Sequence, residues 1–211
     1  MNQFYIFSNC NMDNNTNIIK NLLPYDFIKK QKQYDIQLLK KKEFDIFYSG
    51  KLKYPLLVKE TITVNTGKTD INETPIDRRY LIDPFKEDPS LPLNKSFTMQ
   101  DYRNYMCFGG SLGHNAPAGQ HKTNMDIYAE TFLLSNITPQ DIVLNTGLWA
   151  LIENWCKFLS KNNKLFNITI FTGSIPNVNN YKFYDTVMNV PTKMFKLVTV
   201  QHIDYPQKLF L

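Results

Sequence analysis

The chain has 211 residues, 15 of them Phe and 12 Tyr, which suits one well-cored domain and excludes a disordered chain. A net charge of +5 and a pI near 8.9 favour a polyanionic partner only mildly, because many proteins that never meet nucleic acid carry as much. Cys10, Cys107 and Cys156 are too few and wrongly spaced for a disulfide framework or a zinc knuckle, so a reducing intracellular compartment is expected.

In chain order, the N-terminus shows no signal or transit peptide, and no run approaches the roughly 18 apolar residues of a membrane span, so no membrane is expected. Residues 1–43 are polar and lysine-rich. Apolar positions at helical spacing (Ile18, Ile19, Leu22, Leu23, Phe27, Ile28), broken by Pro24, predict an N-terminal extension with short helices. A single domain is expected over 44–211. FDIFYSG and YPLLVKETITV predict strands joined by a turn at Gly50, and ETPIDRRYLIDPFKEDPSLP, rich in proline and charge, predicts a surface loop. Residues 97–130 mix glycine, asparagine and polar groups, so irregular structure is expected around GGSLGHNAPAGQH.

TFLLSN predicts a short strand ending at Asn136. TGLWALIENWCKFLSK then places Leu148, Leu151, Ile152, Trp155, Phe158 and Leu159 on one face of a helix over 146–161. FNITIFTG and MFKLVTVQ predict strands flanking a loop that contains Asn177 to Tyr181. The expected fold is α+β, a central antiparallel sheet with flanking helices.

Gly113–His114 followed by Ala116–Pro117, then Phe132 to Gln140, then Leu144–Asn145 and a helix bearing Glu153, resemble the active-site region of the DNA/RNA non-specific endonucleases. These are the ββα-metal nucleases that include endonuclease G, and the likeness extends loosely over about residues 44–200. The resemblance implies a ββα-metal motif in which His114 is the general base that activates water. It implies that Asn145 is the protein ligand of one divalent cation, Mg2+ or Mn2+, and that Glu153 orients the cation's waters. A hard cation suits oxygen ligands and neutralises both phosphate and departing 3′-oxygen. DNA and RNA are the implied substrates, met through phosphates, and relatives are often homodimers.

Each residue also has a structural explanation. His114 could be a solvated loop residue, and Asn145 could simply cap the helix. Glu153 and Lys157 have the spacing of an i,i+4 ion pair. Arg78 and Arg79 lie near the position of the family's phosphate-binding arginine, with Arg79 the candidate for catalysis and Arg78, Lys122 and Lys157 for substrate binding; a solvated loop pair accounts for the arginines almost as well. His121 and His202 are expected to be surface or structural residues. The family pattern of acidic residue, arginine, glycine and histidine appears here as Ser111–Leu112–Gly113–His114. On the resemblance, Leu112 would point toward the phosphate and Leu112→Arg would restore a donor there; the alternative function is a catalytically weakened or inactive nuclease-like domain that binds nucleic acid or acts as a structural or interaction subunit.

Overall fold

The computed structural model describes residues 31–62, 81, 83–162, 166–177, 179–202 and 209–210. A short helix, α1 (Gln31–Tyr34), precedes strands β1 (Ile36–Lys40), β2 (Phe44–Ser49) and β3 (Tyr54–Ile62). β6 (Phe166–Ile175), β9 (Lys193–His202) and β10 (Leu209–Phe210) complete a six-stranded antiparallel sheet ordered β1-β2-β3-β6-β9-β10. The β2–β3 connection starts at Gly50, where a Cβ would collide with the Asp35 side chain.

Period-two alternation decides what the sheet covers. In β3 the even-numbered residues Tyr54, Leu56, Val58, Glu60 and Ile62 are all buried. At one end, Ile62, Ile168 and Ile170 pack with Val198 and Val200 against Cys156, Ile152 and Leu159 of the long helix α5 (Ala150–Asn162). At the other, Tyr54 and Leu56 pack against Tyr102 and Tyr105 of α2 (Met99–Met106), Leu112 of β4 (Gly110–His114) and Ile137 of β5 (Ile137–Asp141). The second layer also holds α3 (Met125–Glu130) and α4 (Ile142–Leu144), and a hairpin of β7 (Asn180–Phe183) and β8 (Thr186–Asn189) contributes buried Met188. Among the described residues no helix is long and apolar enough to cross a membrane.

Several local expectations give way. Residues 36–40, expected within a helical extension, are an edge strand on β2, because Ile36 and Leu39 find apolar partners in the cores beneath. The stretch 97–130 is largely regular: Thr98 and Asp101 form a capping box that starts α2, and Asn124 caps α3. Gly110 serves close packing, since a Cβ there would overlap the Tyr105 ring. TFLLSN is a turn ending in a 3-10 segment, and the strand follows it as β5. The loop expected from Asn177 to Tyr181 runs into the β7–β8 hairpin. Of the apolar stripe on α5, Ile152 and Leu159 face the sheet together with Cys156, whereas Leu151, Trp155 and Phe158 are exposed.

The proline-rich segment is not wholly superficial either: Leu91 and Asp88 are buried. Asp88 accepts hydrogen bonds from Lys41 Nζ (2.6 Å), the Ser135 hydroxyl, and the Ser90 hydroxyl and amide. Burial alone would raise its pKa, but these donors hold it below the usual carboxylate range. Asp88→Ala strands a nearly buried ammonium and should cost about 3–5 kcal/mol in chemical denaturation. The wild-type advantage should be present above about pH 4 and vanish as pH falls through the lowered folded pKa. A cost below about 1 kcal/mol at pH 7 would show that this carboxylate does not anchor the loop.

Candidate active site

The candidate site is built on a two-stranded ribbon, β4 against β5, in the register Gly110↔Asp141 through His114↔Ile137. A Cβ at Gly113 would overlap the Gln140 side chain, which explains a glycine before the histidine. Leu112 and His114 point to the face opposite Ser111 and Gly113. His114 is half-buried, its ring 5.4 Å from Phe85 and 5.1 Å from Phe132, the latter edge-to-face at 87°. Two aromatic walls limit how the imidazole can turn.

Beyond His114 the chain is locked by two buried asparagines. Asn136 accepts from the Ala116 amide (3.0 Å) and donates to the carbonyls of Ala116 (2.9 Å) and Thr131 (2.8 Å). The Asn115 side-chain amide donates to the Asn136 carbonyl and to Thr138 Oγ1, both at 2.9 Å. Side-chain amides here replace the backbone partners that the ribbon no longer supplies.

Asn145 sits inside the helical segment, not at its start. Asp141 caps that segment by accepting from the amides of Val143 and Leu144, so capping does not compete for the Asn145 side chain. Asn145 opens a wide helical turn, Asn145–Trp149, which breaks from helical geometry at Gly147 (φ −95°, ψ −106°). Its Nδ2 donates to Ser111 Oγ at 2.7 Å, a bond that orients the amide and ties the turn to β4.

Glu153, on α5, is half-buried, and Gln120 Nε2 donates to its backbone carbonyl (3.2 Å). Burial lifts its carboxyl pKa to about 7; Lys196, whose Nζ lies 3.9 Å from Oε1, opposes the rise and Glu60 adds to it. Lys196 reaches this point from β9 and donates to Thr172 Oγ1 (2.7 Å) and to the Asn115 carbonyl (3.2 Å). Glu60 and Glu43 clamp His121, which is fully buried, at 2.7 and 2.8 Å. Burial by itself would lower the His121 pKa, but the hydrogen bonds and charges of both glutamates raise it to about 9. Both ring nitrogens then donate.

Asn145 is thus tied to the strand of His114 through Ser111, and Glu153 is connected through Lys196 to the carbonyl of Asn115, the residue after His114. Lys122 Nζ lies 5.3 Å from the Tyr128 ring centre. Half-buried Lys157 reaches Gly119, 3.7 Å from where a Cβ would stand. Arg78 and Arg79 lie outside the described residues. Leu112 is only 9% exposed and packs within the core cluster. The sequence carries no signal for the contacts of Ser111 and His121, whereas Glu60 and Lys196 interrupt apolar alternation (Val58, Glu60, Ile62; Lys196, Val198, Val200) and so mark a polar island in the sheet.

Among the described residues no cluster of three or more His, Cys, Asp or Glu could cage a metal ion. One oriented amide oxygen beside solvent-accessible space suits a hard cation that keeps most of its water, as Mg2+ does.

The family model for DNA/RNA non-specific endonucleases matches residues 24–205. Nuclease C1 of Cunninghamella echinulata var. echinulata is 30% identical over 176 residues, covering 79% of this chain and 66% of that protein. The human mitochondrial nuclease EXOG is 46% identical over 85 residues, 40% of this chain and 22% of its own. The chain therefore spans about a fifth of EXOG and just under two thirds of nuclease C1. In the solved structure of the EndoG/EndoGI complex, the matching chain superposes with a TM-score of 0.66 at 26% identity, over 82% of this chain and 70% of that one.

Two outcomes test the packing. Leu112→Arg should destabilise the fold by about 3–5 kcal/mol through an unpaired buried charge, whereas Leu112→Met should cost under about 1.5; equal stability of the two variants would place the side chain in solvent. For His121 the raised pKa means a stabilising contribution complete below the unfolded value of about 6.5 and lost as pH rises through about 9. The melting temperature should therefore drop more between pH 6.5 and 9 in the wild type than in His121→Leu, and parallel profiles would refute the ionic clamp.

Proposed function

The chain belongs to the DNA/RNA non-specific endonuclease family, and from that premise we propose that it is a metal-dependent endonuclease hydrolysing DNA and RNA with little sequence preference. The observation that carries this reading is the Ser111–Asn145 hydrogen bond at 2.7 Å, which holds the candidate cation ligand in one frame with the strand that ends at His114.

In this mechanism a single divalent cation, Mg2+ or Mn2+, is held by Asn145 Oδ1, and when bound it neutralises charge on the phosphate and the departing 3′-oxygen. The His114 imidazole, confined by Phe85 and Phe132, accepts the proton of the attacking water and needs no large motion to do so. Glu153 accepts hydrogen bonds from water beside Asn145 and fixes its orientation. Lys122 and Lys157 supply charge to the phosphate backbone, which every sequence presents alike. Arg79 and Arg78 are assigned the phosphate contacts next to the reacting group.

The alternative, a domain that binds without cutting, draws on the loss of an arginine at position 112. Leu112 packs in the core, and cleavage by the wild type decides between the two readings.

Supercoiled plasmid and single-stranded RNA, incubated with Mg2+, test the proposal. His114→Ala and Asn145→Ala should each lose at least about 100-fold in cleavage rate, EDTA should abolish wild-type cleavage, and His114→Ala should still bind duplex. Wild-type rates in either variant, or cutting that survives chelation, would remove the mechanism.

A further inference from the structure

The Lys196 side chain is 2% exposed, and a buried ammonium is costly unless its donors are used. It stands on the sheet face that otherwise presents Val198 and Val200, directly opposite Thr172 of β6. Its Nζ donates to Thr172 Oγ1 (2.7 Å) and to the Asn115 carbonyl (3.2 Å), lies 4.8 Å from the Trp149 ring centre, and is 3.9 Å from Glu153 Oε1. These groups come from four places: the sheet, the residue after His114, the turn opened by Asn145, and α5.

We propose that Lys196 is a positioning residue of the active site, its ammonium fixing the Asn115 carbonyl, the Trp149 ring and the Glu153 carboxylate relative to one another. The catalytic consequence rests on the nuclease reading above; the positioning itself does not. One ammonium serves because its three donors spread around a point charge, and a methionine of similar length would fill the same slot with no donor and no charge. Without it the Asn115 carbonyl loses a donor, and the backbone next to His114 is held by the asparagine lock alone.

The charges around Glu153 set what the lysine does to it. Lys196 faces it from β9 and Glu60 acts on it from β3, with cationic His121 held between Glu60 and Glu43; the Cys156 thiol on α5 is pushed up to about 12, chiefly by burial, and stays neutral. Lys196 is the cation that opposes the rise of the Glu153 carboxyl pKa. Its removal should drive that pKa further up, an effect that mere space-filling by a long side chain would not produce.

The test uses the full chain with Lys196→Met, and with Thr172→Val as the milder variant that removes one partner of the ammonium and keeps its charge. Glu153 is titrated by carboxyl 13C NMR, its resonance assigned by its loss in Glu153→Gln, and plasmid cleavage with Mg2+ is measured in parallel. In Lys196→Met the Glu153 midpoint should move upward and kcat should fall at least about tenfold, with KM changed far less. Thr172→Val should remain folded and lose kcat in the same direction by a smaller factor. An unmoved Glu153 midpoint in Lys196→Met, or a loss lying wholly in KM, overturns the proposal. Should Lys196→Met not fold, unchanged kcat and an unchanged Glu153 midpoint in Thr172→Val overturn it equally. If the wild type itself does not cleave, the nuclease reading fails and the NMR titrations alone decide the role of Lys196.

Discussion

The placement of His114, and of Ser111 against Asn145, depends on the register of β4 against β5. A one-residue slip would turn Leu112 and His114 to the opposite face and carry Ser111 away from Asn145. Three contacts hold that register. Gly113 leaves room only for the Gln140 side chain, Leu112 is anchored in the core beside Ile137, and Asn115 and Asn136 close the end of the ribbon with side-chain amides. The ribbon is short, and pairing two short strands gives little independent stability. Its rigidity comes from the core below and the asparagine lock beside it.

The second constraint is the polar island set in an otherwise apolar sheet face. Glu60, Thr172 and Lys196 occupy positions whose neighbours along the same strands are Ile62, Ile170 and Val198. A buried charge is tolerated when it is paired, and here Glu43 and Glu60 flank cationic His121, while Lys196 donates to Thr172 and the Asn115 carbonyl and lies 3.9 Å from Glu153. Such an arrangement sacrifices apolar packing under α5 and gains a fixed electrostatic setting for Glu153. In the proposed nuclease the exchange favours orientation of charge over core stability.

The sequence was most informative where periodicity was strong. The strands at 44–49, 54–62, 166–175 and 193–202 and the helix ending near 162 were legible from alternation and apolar spacing. The chemistry-bearing residues His114, Asn145 and Glu153 were legible only through resemblance, because each has an ordinary structural explanation on its own. Three kinds of information were hidden. Regular structure around GGSLGH is not legible because Gly110 and Gly113 serve close packing against Tyr105 and Gln140, which only the folded chain reveals. The helix start is not legible because Asp141, not Asn145, is the cap. The burial of Leu112 is not legible because one residue in a five-residue strand does not say which face is the core, and the choice between surface and structural roles for His121 is not legible because its partners Glu43 and Glu60 lie 78 and 61 residues away.

The proposed mechanism turns on one divalent cation that Asn145 Oδ1 would hold against the phosphate whose attacking water His114 would deprotonate. The most direct measurement is a crystal structure of the cleavage-deficient His114→Ala variant with a short duplex and Mn2+ in place of Mg2+, recorded for anomalous scattering. A single anomalous peak within bonding distance of Asn145 Oδ1, with Glu153 reaching it through water, is the expected result. A cation bound instead by the carboxylates of Glu43, Glu60 or Glu153, or a duplex bound with no cation near Asn145, would contradict it.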